Sequence, residues 1–330
     1  MSIVIDGHSD LLNDIFPRRT LGEREILEKY WVPKMRKGGI DTRVVAIYSD
    51  PRYLPELALR RALDQIAILY EEIEESPSSV LCTTADEIIR AKKEGKVGFI
   101  LGMEGAEPLG SDIQLLRIFY KLGLRVLGFT HALRTYLADG AFFISRESGQ
   151  LGGLTDVGIQ FLELAQALGI VVDLSHMNDP SFWDTIKFAK LPVIASHSNC
   201  RALCNHPRNL TNEQISAIAD GGGVIGVNSI RRFIEHKNLD DLVNHIDHLV
   251  SKAGIEHVGL GPDFADYLRD YMTEKERESL HPDSMRQVEG FAQDEDFPLM
   301  ARELERRGYK SSDIEAIMGD NFMRVFQELL

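Results

Sequence analysis

Four of the ten histidines in this 330-residue chain, His8, His131, His176 and His197, stand where a short apolar run ends. Carboxylates close runs in the same way: Asp10 at the first, Glu104 at the third and Asp263 at the eighth. In an extended chain residues i and i+2 point to one side, so the His8 imidazole and the Asp10 carboxylate can aim at one point. Any one of these residues has an ordinary structural explanation. A strand-end histidine is usually hydrogen-bonded, Glu104 or Asp263 could cap a helix, and Glu104 could pair with Arg125. The whole set together points to a metal site, because imidazole plus carboxylate suits zinc and similar first-row divalent ions. His8, Asp10, Glu104, His176 and His197 exceed the three protein ligands that one catalytic zinc usually takes. A carboxylate shared by two ions resolves the count. Glu104 would bridge, with His8 and Asp10 on one ion and His176 with His197 on the other; such a pair suits activation of a water between the ions.

Such a rim needs strands that end together. The apolar runs cover 2–6, 42–49, 97–104, 125–131, 170–176, 192–198, 223–228 and 257–263. They are near-continuously apolar, as strands of a parallel sheet buried on both faces are. The segments between them read as helices. Leu59, Ala62, Leu63, Ile66, Tyr70 and Ile73 fall on one helical face. Thr155 and Gly169 bracket another helix, and Thr211 with Gln214 form a capping box. Asp240 opens a helix carrying Leu242, Val243, Ile246, Leu249 and Val250. Eight βα units predict a (β/α)8 TIM-type barrel, a single domain over 1–330, with elaborated loops after the fourth strand (132–153) and the eighth (264–297). An open doubly wound sheet would carry a Gly-rich phosphate turn after its first strand, where "GHSD" stands instead. In a barrel the strand ends converge on the C-terminal mouth.

A net charge of −14 argues against general nucleic-acid binding. No apolar run is long enough to span a membrane. The N-terminus enters a strand at once, without a leader pattern, and "RVFQELL" reads as an amphipathic helix end, so a cytoplasmic location is expected. Cys82, Cys200 and Cys204 make no disulfide framework. Cys200, Cys204 and His206 hint at zinc but lack a second Cys/His pair, and the thiols read as incidental. His206, His236, His245, His248, His257 and His281 read as surface residues.

"DGHSD", "GMEGAEPL", "LGFTH", "VVDLSH", "PVIASHS", "HPRNL", "GGVIGVN", "GLGPDF" and a C-terminal "GDNFMRVF" follow one another in order. This series resembles that of the membrane (renal) dipeptidase family, a branch of the amidohydrolase-like metal barrels. The resemblance implies a zinc-dependent dipeptidase that hydrolyses dipeptides with a free C-terminal carboxylate and tolerates a D-residue there. It implies two Zn2+ ions, other first-row divalent metals being compatible, on His8, Asp10, Glu104, His176 and His197, with Glu104 as the bridge. His131 corresponds to a substrate-polarising histidine off the resting metal site, Arg208 to the residue that binds the substrate carboxylate, and Asp263 to the acid/base. The expected partner is a small dipeptide, with room for a homodimer. The rival enzyme reading is a metal-dependent amidohydrolase acting on an N-acyl amino acid, lactam or lactone. A non-catalytic metal binder would need neither Asp263 nor His131. The chain departs from the family pattern at Pro262 and Ala265, and at Ser229, Ile230 and Arg231. Arg231 and Arg232 are then either solvated or turned into the pocket mouth, where they would attract an acidic substrate side chain.

Overall fold

The computed structural model describes residues 2–141 and 152–330, so residues 142–151 of the loop expected over 132–153 lie outside the described residues. Eight strands form the barrel: β1 (Ile5–Ser9), β2 (Thr42–Tyr48), β3 (Val97–Glu104), β4 (Leu124–Gly128), β5 (Val171–Asp173), β6 (Val193–Ala195), β7 (Val224–Val227) and β8 (Val258–Leu260). Each pairs in parallel with the next. β8 returns against β1, where a Cβ on Gly7 would meet the Leu260 carbonyl at 3.1 Å, so the barrel is nearly closed. Helices lie between the strands, as in a (β/α)8 barrel.

The ladders differ from the apolar runs at their ends. β1 is Ile5–Ser9 rather than 2–6, so the polar Asp6-Gly7-His8-Ser9 stretch is itself strand. β5 and β6 stop at Asp173 and Ala195, and the chain then leaves the sheet towards His176 and His197. A further strand, Ser79–Leu81, pairs with β3 off the main order. Three residues carry no usable periodicity, which is why the apolar pattern passes over it.

Alternation divides each strand between the barrel interior and the helices. Ile5, Val44, Ile100, Val126, Val171, Ile194 and Val224 form the inner layer, closed from below by Phe322 and Phe326 of the C-terminal helix Asn321–Leu329. Gly7 and Gly259 leave room for the Phe322 ring; a Cβ at either would come within 2.7 and 2.5 Å of it. The inward register carries chemistry further up: Glu104 follows Ile100, Asp173 follows Val171 and Ser196 follows Ile194, each on the same face.

Thr155 caps Asp156–Ala167 through the Gly158 N–H at 3.0 Å, and the Thr211–Gln214 box is formed. The helix Ala58–Glu75 is rotated from expectation. It buries Ala58, Ala62, Gln65, Ile66, Leu69 and Glu72, and leaves Leu59, Leu63 and Tyr70 exposed. Polar residues hold the inward stripe because each has a partner. Glu72 pairs with Arg19 at 2.8 Å and accepts the Leu27 N–H at 2.8 Å, and Gln65 bonds both backbone groups of Tyr48. Asn238, not Asp240, caps the helix Leu239–Ala253, and His245 faces inward rather than to solvent, its Nδ1 accepting the Cys200 N–H at 3.1 Å. Among the described residues, no helix is long and apolar enough to cross a membrane.

Arg43 is buried in β2 between two carboxylates. Its Nε donates to Asp6 at 2.7 Å and its Nη2 to Asp294, at the far end of the excursion after β8. Asp6 also accepts the His8 N–H at 3.1 Å, so this triad braces β1 where His8 stands. Burial, together with Asp294 and against Arg43, pushes the Asp6 carboxyl up to about 6. Arg43→Met is expected to cost about 3–5 kcal/mol at neutral pH, the usual effect of stranding buried charge. The deficit should shrink in acid, as the stranded carboxylates protonate. Urea unfolding followed by circular dichroism at two pH values checks both the size and the trend.

Candidate metal centre

The barrel brings all seven strand-end residues to one rim. Glu104 Oε1 is the focus: it lies 2.9 Å from His176 Nε2, 3.3 Å from His197 Nε2 and 3.5 Å from His8 Nε2. His176 and His197 meet Nε2 to Nε2 at 2.9 Å, and His8 Nε2 stands 3.9 Å from Asp263 Oδ1. Three overlapping sets have donor atoms within 4.8 Å of one another: His8–Glu104–His197, Glu104–His131–His176, and His8–Asp10–Asp263. His8 shares one set with Asp10 and another with His197, while His176 and His197 also meet at Glu104 Oε1 and His131 joins His176 there. The His131 ring packs on His176 at 4.3 Å and edge-on to Tyr48 at 4.8 Å, so it borders the centre directly.

The electrostatics suit a cation. Asp10, Glu104 and Asp263 crowd the same rim, Glu104 buried and the other two half-buried. Burial, reinforced by Glu104, pushes Asp10 well above the carboxylate range and Asp263 up to about 7. Glu104 is held low despite its burial, by His8, His176 and His131. Burial works against a charged His8, yet Glu104, Asp263 and Asp10 raise it to about 9. Burial holds His176 and His197 neutral, well below the usual imidazole range. His8 Nε2 is fully buried with no hydrogen-bond partner. Neutral imidazoles, an orphaned ring nitrogen and crowded carboxylates are what a divalent cation would satisfy.

Two rim residues sit in the left-handed region, unusual for non-glycine: His176 at φ 69° and Asp263 at φ 57°. Partners from other loops hold both. The His176 carbonyl accepts Ala141 N–H at 2.6 Å and Thr130 Oγ1 at 3.2 Å. The Asp263 carbonyl accepts Gln287 Nε2 at 3.1 Å, and Asn228 Nδ2 donates to its Oδ2 at 3.1 Å.

Arg208 is buried, not a surface ion pair. Its Nη2 donates to the His197 carbonyl at 3.0 Å, and its Nε has no partner. Burial lowers its guanidinium to about 10, against the pull of Asp263 and Glu104. Arg231 is committed elsewhere: its Nε donates to the Gln287 carbonyl at 2.6 Å and its Nη2 lies 3.6 Å from Glu289, tying the loop after β7 to the excursion. Arg232 Nη1 donates to Ser284 Oγ at 3.1 Å. Cys200 Sγ lies 3.5 Å from the His245 carbonyl, and no cysteine joins a donor cluster among the described residues.

Sequence reasoning assigned nothing to Asp173 and Ser196, which the barrel places beside His197. Asp173 Oδ1 accepts the backbone N–H groups of Ser175 (3.0 Å) and Ser196 (2.9 Å), and its Oδ2 accepts Ser196 Oγ. Ser196 Oγ lies 2.7 Å from His197 Nδ1. The available signal was an aspartate in the otherwise apolar "VVDLSH" and a serine ahead of the histidine in "ASHS".

The family model described as membrane dipeptidase (peptidase family M19) matches residues 1–276 and 279–329. An uncharacterized Klebsiella pneumoniae protein from the pqqA 5′ region is 33% identical over 276 residues, covering 80% of this chain and 94% of its own length. A metallo peptidase from Rhodobacter sphaeroides, liganded with a phosphinate mimic of the dipeptide L-Ala-D-Ala, superposes with a TM-score of 0.86 at 25% identity over 100% of both chains. The dipeptidase AC, a metallo peptidase of family M19, superposes with a TM-score of 0.86 at 26% identity, over 99% of this chain and 98% of its own.

Proposed function

This chain belongs to the membrane dipeptidase family, peptidase family M19, and from that premise we propose that it is a zinc-dependent dipeptidase acting as one domain over 1–330. The observation that carries the reading is the meeting of three imidazoles within 3.5 Å of one Glu104 oxygen, with Asp10 and Asp263 beside them, at the mouth of the barrel. His8, Asp10, Glu104, His176 and His197 would hold two zinc ions, Glu104 serving both. Other first-row divalent ions suit the same donors. When bound, the metal supplies Lewis acidity and lowers the pKa of water towards about 7.

The chain's own groups do the rest. Asp263 takes the proton of the attacking water on its carboxylate and passes it to the nitrogen of the leaving amine. His131, held neutral by burial, donates its one ring N–H to the substrate carbonyl oxygen as negative charge develops there. Arg208 presents its unpartnered Nε to the free α-carboxylate of the substrate, and so fixes the position of the scissile amide. Tolerance of a D-residue next to that carboxylate is supported by the L-Ala-D-Ala mimic held by the Rhodobacter relative.

A matrix of L,L and L,D dipeptides, with N-acetylated and C-amidated controls, tests this on the zinc-loaded protein. Free dipeptides of both series should be cleaved. N-acyl amino acids cleaved in their place would overturn the dipeptidase reading. Arg208→Met should act mainly on KM, raising it about tenfold or more for free dipeptides, the loss of a charge-assisted pair. Equal cleavage of an amidated dipeptide and its free acid by the native protein would remove Arg208 from this role.

A further inference from the structure

We propose that Asp173 and Ser196 form a proton relay that sets the tautomer of His197, leaving its Nε2 lone pair free for the metal. The inference rests on His197 being a ligand in the reading above. It starts from which atoms can donate. A carboxylate oxygen only accepts, so the hydroxyl between Asp173 Oδ2 and His197 Nδ1 must give its proton to Asp173. Ser196 Oγ then meets Nδ1 with a lone pair, and Nδ1 must carry the ring's proton. A neutral imidazole has one N–H, so Nε2 is bare. It is Nε2 that lies 3.3 Å from Glu104 Oε1 and 2.9 Å from His176 Nε2, in the middle of the donor cluster. All three relay residues are buried, so water does not compete for these bonds.

The other Asp173 oxygen makes the relay directional. Oδ1 accepts two backbone N–H groups, those of Ser175 and Ser196. In Asp173→Asn these amides hold the side-chain carbonyl oxygen where Oδ1 was. The new NH2 must then sit opposite Ser196 Oγ and donate to it. Ser196 turns its proton to His197 Nδ1, the ring proton moves to Nε2, and the ligand atom is blocked. The variant is nearly isosteric, yet it inverts every donor in the chain. Ser196→Ala breaks the relay without inverting it, and leaves His197 to sample both tautomers. Ser196→Thr keeps the hydroxyl.

This gives an ordering that a purely structural network would not. Zinc affinity, measured by competition with a chelator on the full chain, should fall about 10–100-fold in Asp173→Asn, the usual range for lost support of a ligand. Ser196→Ala should lose less, and Ser196→Thr should stay near native. The tautomer is read separately by nitrogen NMR of histidine-labelled protein before and after zinc loading, with His197→Gln to assign the ring. Native His197 should carry its proton on Nδ1, and the Asp173→Asn variant on Nε2. Ser196→Ala weakening zinc more than Asp173→Asn would overturn the relay. So would a native, metal-free chain protonated at Nε2, a result that stands even if Asp173→Asn does not fold. A native chain that binds no zinc would instead overturn the metal reading, while the tautomer measured before loading still tests the relay.

Discussion

Replacing Glu104 with alanine should release at least one of two zinc ions per chain and abolish dipeptide hydrolysis. One oxygen of this side chain lies within 3.5 Å of ring nitrogens from three different strand ends. Two of the three donor clusters pass through it. On the two-ion reading, loss of a carboxylate shared in this way would damage both ion positions. Glu104 would also supply negative charge to offset the two divalent cations proposed for this site. Metal affinity should therefore fall by more than a single peripheral ligand would cost. Native mass spectrometry with elemental analysis reads the stoichiometry: two for the native chain and one or none for Glu104→Ala. A native stoichiometry that stays at one under excess zinc would sink the two-ion reading. Circular dichroism controls for the fold, which rests on inner and outer layers that Glu104 does not join.

The barrel and its rim were legible because parallel strands buried on both faces must be apolar throughout, so polar residues at their ends stand out. His8, Glu104, His176 and His197 announce themselves in this way, and the fold needs only to close for them to meet. What stayed hidden depends on partners distant in sequence. Arg231 spends its guanidinium on the Gln287 carbonyl, 56 residues on, and no local pattern could say so. Glu72 and Gln65 occupy the inward stripe of their helix because Arg19, Leu27 and Tyr48 satisfy them, which reverses the rule that polar positions face water. Asp173 is a similar case. Its position inside an apolar run looks like a flaw in a strand until Ser196 and His197 arrive beside it from the next one.

Asp263→Asn should keep both ions and the fold while kcat drops by roughly 10²–10⁴-fold, the range for a lost general acid–base. The substitution is conservative in each structural respect. Asparagine is among the few residues at ease at positive φ, and Asp263 stands at 57°. The backbone carbonyl keeps its bond from Gln287 Nε2, and the amide oxygen can accept from Asn228 Nδ2 as the carboxylate does. What the amide cannot do is take up a proton and return it. Without metal, burial and Glu104 together, opposed by His8 and Arg208, bring the Asp263 carboxyl up to about 7, and bound cations would lower it from there. KM for dipeptides should change little, since the substitution leaves untouched the role proposed for Arg208 on the α-carboxylate. Asp263 also lies in one donor cluster with His8 and Asp10, so an alternative role as a ligand is open to direct measurement. If Asp263→Asn loses zinc in parallel with activity, the residue is a ligand and the proton carrier must be sought elsewhere on the rim. If the variant holds two ions, turns over at a small fraction of the native rate and loses the acidic limb of the pH profile, the proton passes through Asp263.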